Sequence, residues 1–220
     1  MDMKKELKSY VIFGIGKFGR SVAEELSLAG HKVLAVDKDR EKVEQVADTV
    51  TMAVVADVND ARQMEGLGLK DFDAAVVTTT GDLSATVMCI MLLKEAGVKQ
   101  VIAKASDERQ AEVYKKLGAD QIIIPEKEAA LSVAHILLNK DLLNVYELSD
   151  DFVLAEVAMR SEWAGKSLRS LDLRRTKSVT VAAIRVNGEL FSNWDADKAL
   201  PSDATVVLIT SKTNLNKLVG

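Results

Sequence analysis

The feature that most constrains this chain is a glycine-spaced turn set between two apolar runs. Tyr10-Val11-Ile12-Phe13 leads straight into Gly14-Ile15-Gly16-Lys17-Phe18-Gly19, a helical stretch follows over 20–29, and a second apolar run, Val33-Leu34-Ala35-Val36, ends in Asp37. The order reads as a β-α-β unit that binds a nucleotide or dinucleotide. Gly14 permits a tight turn out of the first strand, Gly16 lets a phosphate approach the backbone, and Gly19 lets the helix pack closely on the sheet. The helix N-terminus turns free N–H groups and its positive dipole end toward the phosphate. Asp37 ends the second strand, where a carboxylate accepts hydrogen bonds from ribose hydroxyls. A glycine-rich turn that binds nothing satisfies the bare motif. The flanking strand, helix and terminal acid together favour an adenine nucleotide.

Further apolar runs follow at 52–56, 74–78, 100–104 and 121–124, with helical patterns over 39–48, 60–67, 82–95 and 107–117. Near-continuous Val/Ile/Ala strands alternating with helices predict a doubly wound parallel sheet, here a six-stranded Rossmann sheet covered on both faces. Pro125 stops the sixth strand, and 126–143 reads as one long amphipathic helix, with Ala130, Val133, Ala134, Leu137 and Leu138 at helical spacing. Beyond it the pattern changes to strands at 152–159, 179–186 and 205–210. Asn187-Gly188 marks a hairpin whose return strand begins at Leu190-Phe191, and 213–219 reads as a last helix. This is a small α+β module. The predicted organisation is therefore α/β over 1–125, a connecting helix over 126–144 and the α+β module over 145–220.

Composition narrows the function. A chain of 220 residues that is 48% hydrophobic buries a sizeable core, and a net charge of −4 with 5% aromatic residues argues against a nucleic-acid partner. Cys89, the single cysteine, lies in the apolar run 87–93 and reads as a packing residue. The start carries no signal-peptide pattern and no apolar run approaches the roughly 20 residues of a membrane helix. A soluble cytoplasmic protein is expected. A Rossmann sheet makes a dehydrogenase the first guess, but hydride transfer usually needs a proton donor beside the substrate. Of the two histidines, His31 falls at the wrong end of the sheet and His135 on the connecting helix. Ser/His/Asp and metal-ligand constellations are also missing from the pattern, so the expectation is a non-enzymatic binding protein.

Five stretches carry a resemblance to a known family. They are the Gly14–Gly19 loop, Val36-Asp37, Val101-Ile102-Ala103-Lys104-Ala105, Leu117-Gly118-Ala119-Asp120-Gln121-Ile122-Ile123-Ile124-Pro125-Glu126-Lys127, and Trp163-Ala164-Gly165-Lys166-Ser167-Leu168 through Leu171-Asp172-Leu173-Arg174. Over essentially its whole length the chain resembles the RCK (regulator of K⁺ conductance) family, in particular the single-unit cytosolic subunits of bacterial Ktr potassium uptake systems. The resemblance implies a nucleotide-binding domain, a crossover helix swapped between protomers, and a C-terminal ligand-binding domain. It implies homodimers assembling into an octameric ring, attached to the membrane only through a Ktr-type potassium channel subunit, with ATP opening and ADP closing the ring. NAD(H) is the alternative ligand, and a sensor for a different transporter or an NAD(H)-linked oxidoreductase subunit are the alternative functions.

Carried onto this sequence, the resemblance places Gly14, Gly16, Lys17, Phe18 and Gly19 at the phosphates, Asp37 at the ribose and Asp57 near the adenosine. Thr79 and Thr80 border the same crevice, and Lys104 faces it. Glu126 would help hold a divalent cation, Mg²⁺ or Ca²⁺, between two nucleotide sites. Relatives often carry Arg where this chain has Lys17, and Lys keeps the charge without the bidentate fork. Plainer readings stand beside these: Asp57 as the cap of the next helix, Lys104 as a solvated strand end, and Glu126 as an acid favoured at a helix start. For cyclic di-AMP, bound by the C-terminal domain in several relatives, the corresponding positions are Leu168, Arg169, Arg174, Thr176, Lys177 and Ser178. Trp194 is placed either to stack on an adenine or to block the site.

Overall fold

The computed structural model describes residues 7–79 and 81–219. The chain divides into two compact units between Glu126 and Lys127. In the first, the elements run β1 (Ser9–Phe13), α1 (Lys17–Leu28), β2 (Lys32–Asp37), α2 (Arg40–Glu44), β3 (Met52–Val55), α3 (Ala61–Glu65), a 3-10 turn (Leu69–Asp71), β4 (Ala74–Val77), α4 (Leu83–Glu95), β5 (Gln100–Lys104), α5 (Glu108–Lys116) and β6 (Gln121–Ile123). All six strands are parallel, in the order β3-β2-β1-β4-β5-β6. This is the expected doubly wound sheet. Its strands alternate faces: Val11, Phe13, Val36, Ala75, Val77 and Val101 pack with Cys89, Ile90 and Leu93 of α4, while Ile12, Val33, Ala35 and Val76 pack with Ala23 of α1 and with Val46. Burial pushes the Cys89 thiol well above its ordinary pKa, as fits a packing residue.

α6 (Pro125–Leu138) opens on a proline, whose missing N–H is no loss in a first turn. None of its residues is buried, although Leu137 and Leu138 are 79% and 78% exposed and Leu131 and Val133 also face solvent. The helix is shorter than its sequence pattern suggests. Asn139 ends it, its side-chain amide donating to the His135 carbonyl at 3.1 Å, and residues 142–147, where the pattern continued the helix and then left a connection, form a strand.

That strand, β7 (Leu142–Glu147), begins the second unit's sheet. It is followed by β8 (Phe152–Ala158), α7 (Leu168–Leu171), α8 (Leu173–Lys177), β9 (Thr180–Val186), β10 (Glu189–Phe191), β11 (Thr205–Ser211) and α9 (Lys212–Val219). The sheet is antiparallel in the order β10-β9-β11-β8-β7. β7 escapes a period-two reading because a register shift between Leu142 and Asn144 puts Leu142 and Val145, three apart, on the same buried side. Three-residue spacing mimics a helix. The two short helices α7 and α8 were also not expected. Trp163, 2% exposed, sits in the core with Val153, Val157, Ile184, Leu200 and Leu208. No helix among the described residues is long and apolar enough to cross a membrane.

On the other side of this sheet Glu156 of β8 ties its strand to three others. Its Oε1 accepts from Arg185 Nε at 2.7 Å and from the Thr205 hydroxyl at 2.6 Å, and its Oε2 accepts from Asn144 at 3.2 Å. The Arg185 bond, with the Thr205 and Asn144 bonds behind it, holds the carboxyl below its ordinary value of 4.5 against the opposing effect of desolvation. A carboxylate with a depressed native pKa stabilises the fold above its unfolded value, and that contribution disappears as pH falls through the native value. The expected outcome is a second unit that loses stability on acidification below about pH 4.5, with a shallower loss in Glu156→Gln. Both tryptophans, Trp163 and Trp194, belong to this unit, so urea denaturation followed by tryptophan fluorescence across pH measures it directly.

Candidate functional site

Between β1 and β4 the winding of the sheet reverses: the chain leaves β1 for β2 on one side, and from β3 it crosses back to β4 on the other. Open α/β sheets bind ligands at such a switch point, beyond the carboxyl ends of the strands. A cleft of about 380 Å³ lies there, with Gly14, Gly16, Asp37, Asp57 and Thr79 among its walls. Thr78, Lys38, Lys42, Val58 and Asp82 also line it and were not singled out by sequence reasoning. Thr80 lies outside the described residues.

The three glycines of the loop differ in what they are for. Gly14 has φ +89°, and a Cβ there would meet the Thr78 and Thr79 backbone at 2.8–2.9 Å. At Gly19 a Cβ would stand 2.0 Å from the Gly14 carbonyl oxygen, so the helix rests directly on the turn. Gly16 is the exception. Its backbone is ordinary, φ −75° and ψ −173°, and a Cβ would find nothing within 4 Å. No contact within the chain requires a glycine at 16, and the residue lines the cleft. Gly16 is also the N-cap of α1, which has no side-chain cap and no acid in its first turn. The helix end therefore offers uncapped N–H donors and positive partial charge to an anion.

Asp37, 9% exposed at its side chain, is held from within. Oδ2 accepts the Ile15 N–H at 2.7 Å and Oδ1 accepts the Asp39 N–H at 2.9 Å, with Lys42 Nζ 3.9 Å from Oδ2. Each oxygen keeps a lone pair for a ribose hydroxyl. Across the mouth, Lys38 Nζ lies 3.4 Å from Asp82, whose carboxyl is held below its ordinary value chiefly by the Ala85 N–H it caps. Asp57 does not cap α3. That cap is Asp60, which accepts from the Arg62 N–H, while Asp57 accepts from the backbone and side chain of Asn59. The Thr79 hydroxyl is 2.7 Å from that of Thr86.

The remaining candidates fall outside the cleft wall. Lys17 is exposed in the first turn of α1 and Phe18 half-buried. Lys104 is not a solvated strand end: its side chain is 8% exposed, its Nζ lies 2.5 Å from Glu126 Oε1, and it stands 5.8 Å from the centre of the Phe18 ring. The Lys104 bond is the main reason the Glu126 carboxyl is held below its ordinary range, the helix-start N–H adding to it. The pair thus joins the first turn of α1 to the first turn of α6. Among the described residues no group of three or more His, Cys, Asp or Glu is placed to hold a metal ion.

In the second unit, Leu168 and Arg174 line a shallow depression of about 220 Å³. The other positions expected for cyclic di-AMP do not line it. Arg169 is engaged by Asp197 through two hydrogen bonds of 2.5 and 3.1 Å, and the Thr176 hydroxyl is bonded to the Asp172 carbonyl. Lys177 ends α8, and Ser178 follows it in a left-handed conformation. Trp194 carries Lys198 Nζ 4.4 Å from its ring centre and Phe191 edge-on at 6.0 Å.

Comparison with known proteins converges on one family. Residues 10–125 match the TrkA-N domain. The chain is 32% identical over 98% of its length to the Ktr system potassium uptake protein C of Bacillus subtilis (strain 168), covering 96% of that protein. It is 33% identical over 98% of its length to the Ktr system potassium uptake protein A of Vibrio alginolyticus, covering 99%. Among solved structures, the GsuK channel bound to NAD shares the fold at a TM-score of 0.69 and 17% identity. The match spans 99% of this chain but 40% of that longer one.

The glycine geometry makes a sharp expectation. Gly16→Ala leaves stability within about 1 kcal/mol of wild type, because the loss of a favoured N-cap and the gain in chain stiffness oppose each other. It nonetheless weakens binding of a phosphate-bearing ligand. Gly19→Ala destabilises the ligand-free protein by about 1–3 kcal/mol through overpacking. Thermal melting of both variants without ligand, followed by ADP titration, checks the contrast.

Proposed function

Because the chain belongs to the TrkA-N domain family, we propose that it is the nucleotide-sensing regulatory subunit of a Ktr-type potassium uptake system, gating a membrane channel subunit rather than catalysing a reaction. The observation that carries the nucleotide half of this reading is Gly16, a cleft-lining glycine that no contact within the chain requires, at an uncapped helix end. The near-full-length identity to Ktr proteins carries the transport half.

The ligand is an adenine nucleotide. Gly14, Gly16 and the first turn of α1 take the phosphates, Asp37 the ribose and Asp57 with Val58 the adenosine end. NAD(H) stands as a second reading, because Asp37 receives a ribose in the same way from either ligand and the GsuK channel of like fold is bound to NAD. Lys17, exposed beside the phosphate end, supplies the charge that distinguishes ATP from ADP. A divalent cation fits at Glu126 only in company: one carboxylate, already paired with Lys104, is too little for a hard cation that takes several oxygen ligands. The phosphates and a second copy of the chain would supply the rest.

The readout is a shape change in an assembly. α6 exposes an apolar face and buries none of it, and faces of that kind mark interfaces. It is the crossover element of a homodimer, with octameric rings built from such dimers. In the second unit, cyclic di-AMP would have to open the Arg169–Asp197 pair and displace Lys198 from Trp194. The complex works at the cytoplasmic face of the membrane.

Two measurements test this. Saturating ADP or ATP raises the melting temperature by about 5–10 °C, the effect of a ligand at roughly 100 times its dissociation constant on a chain of this size. A flat response to ADP, ATP and NADH alike sinks the nucleotide reading. In proteoliposomes carrying a Ktr-type membrane subunit with this protein, K⁺ flux rises with ATP and falls with ADP, and Lys17→Ala brings the two together. Equal flux in all three states, with the complex intact, removes the gating role.

Added Mg²⁺ stabilises the ATP-bound protein more than the ADP-bound one, since the cation offsets phosphate charge held by an oxygen ligand. Glu126→Gln abolishes that difference in the same melting assay. An unchanged difference would return Glu126 to a purely helix-start and Lys104-pairing role.

A further inference from the structure

Three polar residues among those described are buried as whole residues, all threonines: Thr78, Thr86 and Thr210. A buried hydroxyl calls for an explanation in what it bonds. Thr210 donates to the Ser178 carbonyl in the second unit, and Thr86 ties the start of α4 to the loop before it. Thr78 does something different. It is the first residue beyond β4, 6% exposed, and its Oγ1 donates to the Gly14 carbonyl oxygen at 2.6 Å, with the Phe13 carbonyl farther off at 3.2 Å.

The other end of the same peptide group is also held. The Gly14 carbonyl and the Ile15 N–H belong to one planar unit and point in opposite directions. The carbonyl is taken by Thr78 on the β4 side, and the N–H by Asp37 at the end of β2. β2 and β4 flank β1. The peptide is thus a crosspiece between the two strands on either side of β1, and Gly19 of α1 rests against both Gly14 O and Thr78 Oγ1. The uncapped N-terminus of α1 begins two residues farther on.

We infer that Thr78 is a positioning residue for the nucleotide's phosphates: its hydroxyl fixes the Gly14–Ile15 peptide and thereby the aim of the α1 N–H groups. The inference rests on the nucleotide reading above. Thr78 need not touch the ligand to act this way. Asp37 holds the opposite end and its carboxylate also borders the cleft, whereas the Thr78 hydroxyl, on the cleft wall too, is spent on the Gly14 carbonyl at 2.6 Å.

The test compares Thr78→Val, Thr78→Ala and Thr78→Ser by ADP titration calorimetry, at a temperature where circular dichroism shows each folded. Val keeps the shape and removes the hydroxyl; Ser keeps the hydroxyl. Val and Ala are expected to weaken ADP about tenfold, the worth of one lost hydrogen bond, and Ser to stay within about twofold of wild type. Where Val does not fold, Ala, which leaves room for a water at the Gly14 carbonyl, carries the comparison. In the wild-type protein the Ile15 amide exchanges slowly with solvent before ADP is added. Wild-type ADP affinity in folded Val and Ala variants would overturn the inference, as would a Ser variant as weak as Val, or fast Ile15 exchange. Failure of the wild-type protein to bind any adenine nucleotide would instead overturn the nucleotide reading, and this inference with it.

Discussion

The first unit hangs on one peptide group. β1 ends at Phe13, and within two residues the backbone must leave the sheet and start a helix aimed back across it. The Gly14–Ile15 peptide makes that change of direction, with its carbonyl fastened to Thr78 and its N–H to Asp37. Gly14 supplies the positive φ, and Gly19 lets the helix sit on the carbonyl without an intervening Cβ. Remove any of these and the helix axis shifts relative to the strand ends. The cleft exists because that axis is where it is.

What the loop leaves open matters as much as what it fastens. Two of its glycines answer to the protein's own backbone, and the third answers to the empty volume in front of it. The Lys104–Glu126 pair extends the same region outward, since Lys104 stands beside Phe18 in the first turn of α1 and Glu126 in the first turn of α6. Burying a lysine side chain to 8% exposure is tolerable because a carboxylate meets it, and the carboxylate stays wet.

The sheet of the first unit was legible because its signals are local. Each strand is a short apolar run, each turn carries its glycine or acid, and fully buried parallel strands need no cross-strand information to be recognised. The loop glycines and Asp37 were legible for the same reason. β7 was not, because a bulge gave Leu142 and Val145 a helical spacing. Thr78 was read only as the end of a strand, since a hydroxyl's partner 64 residues away leaves no trace in the order of residues. Asp57 was assigned two roles from sequence, and the structure gives the cap to Asp60. The pairing of Lys104 with Glu126 depends on two strand and helix ends meeting in space, which no spacing announces.

Asp37 belongs to the scaffold and to the cleft wall at once. One oxygen holds the turn and the other holds the start of the next loop, while both border the cleft. Cofactor preference in folds of this kind is commonly set by the residue at this strand end. Here that residue cannot be exchanged without also loosening the Gly14–Gly19 loop, whose Ile15 N–H it holds. A redesign of ligand choice would have to begin at Lys38 and Lys42, which reach the same rim without carrying the turn, and leave the carboxylate untouched.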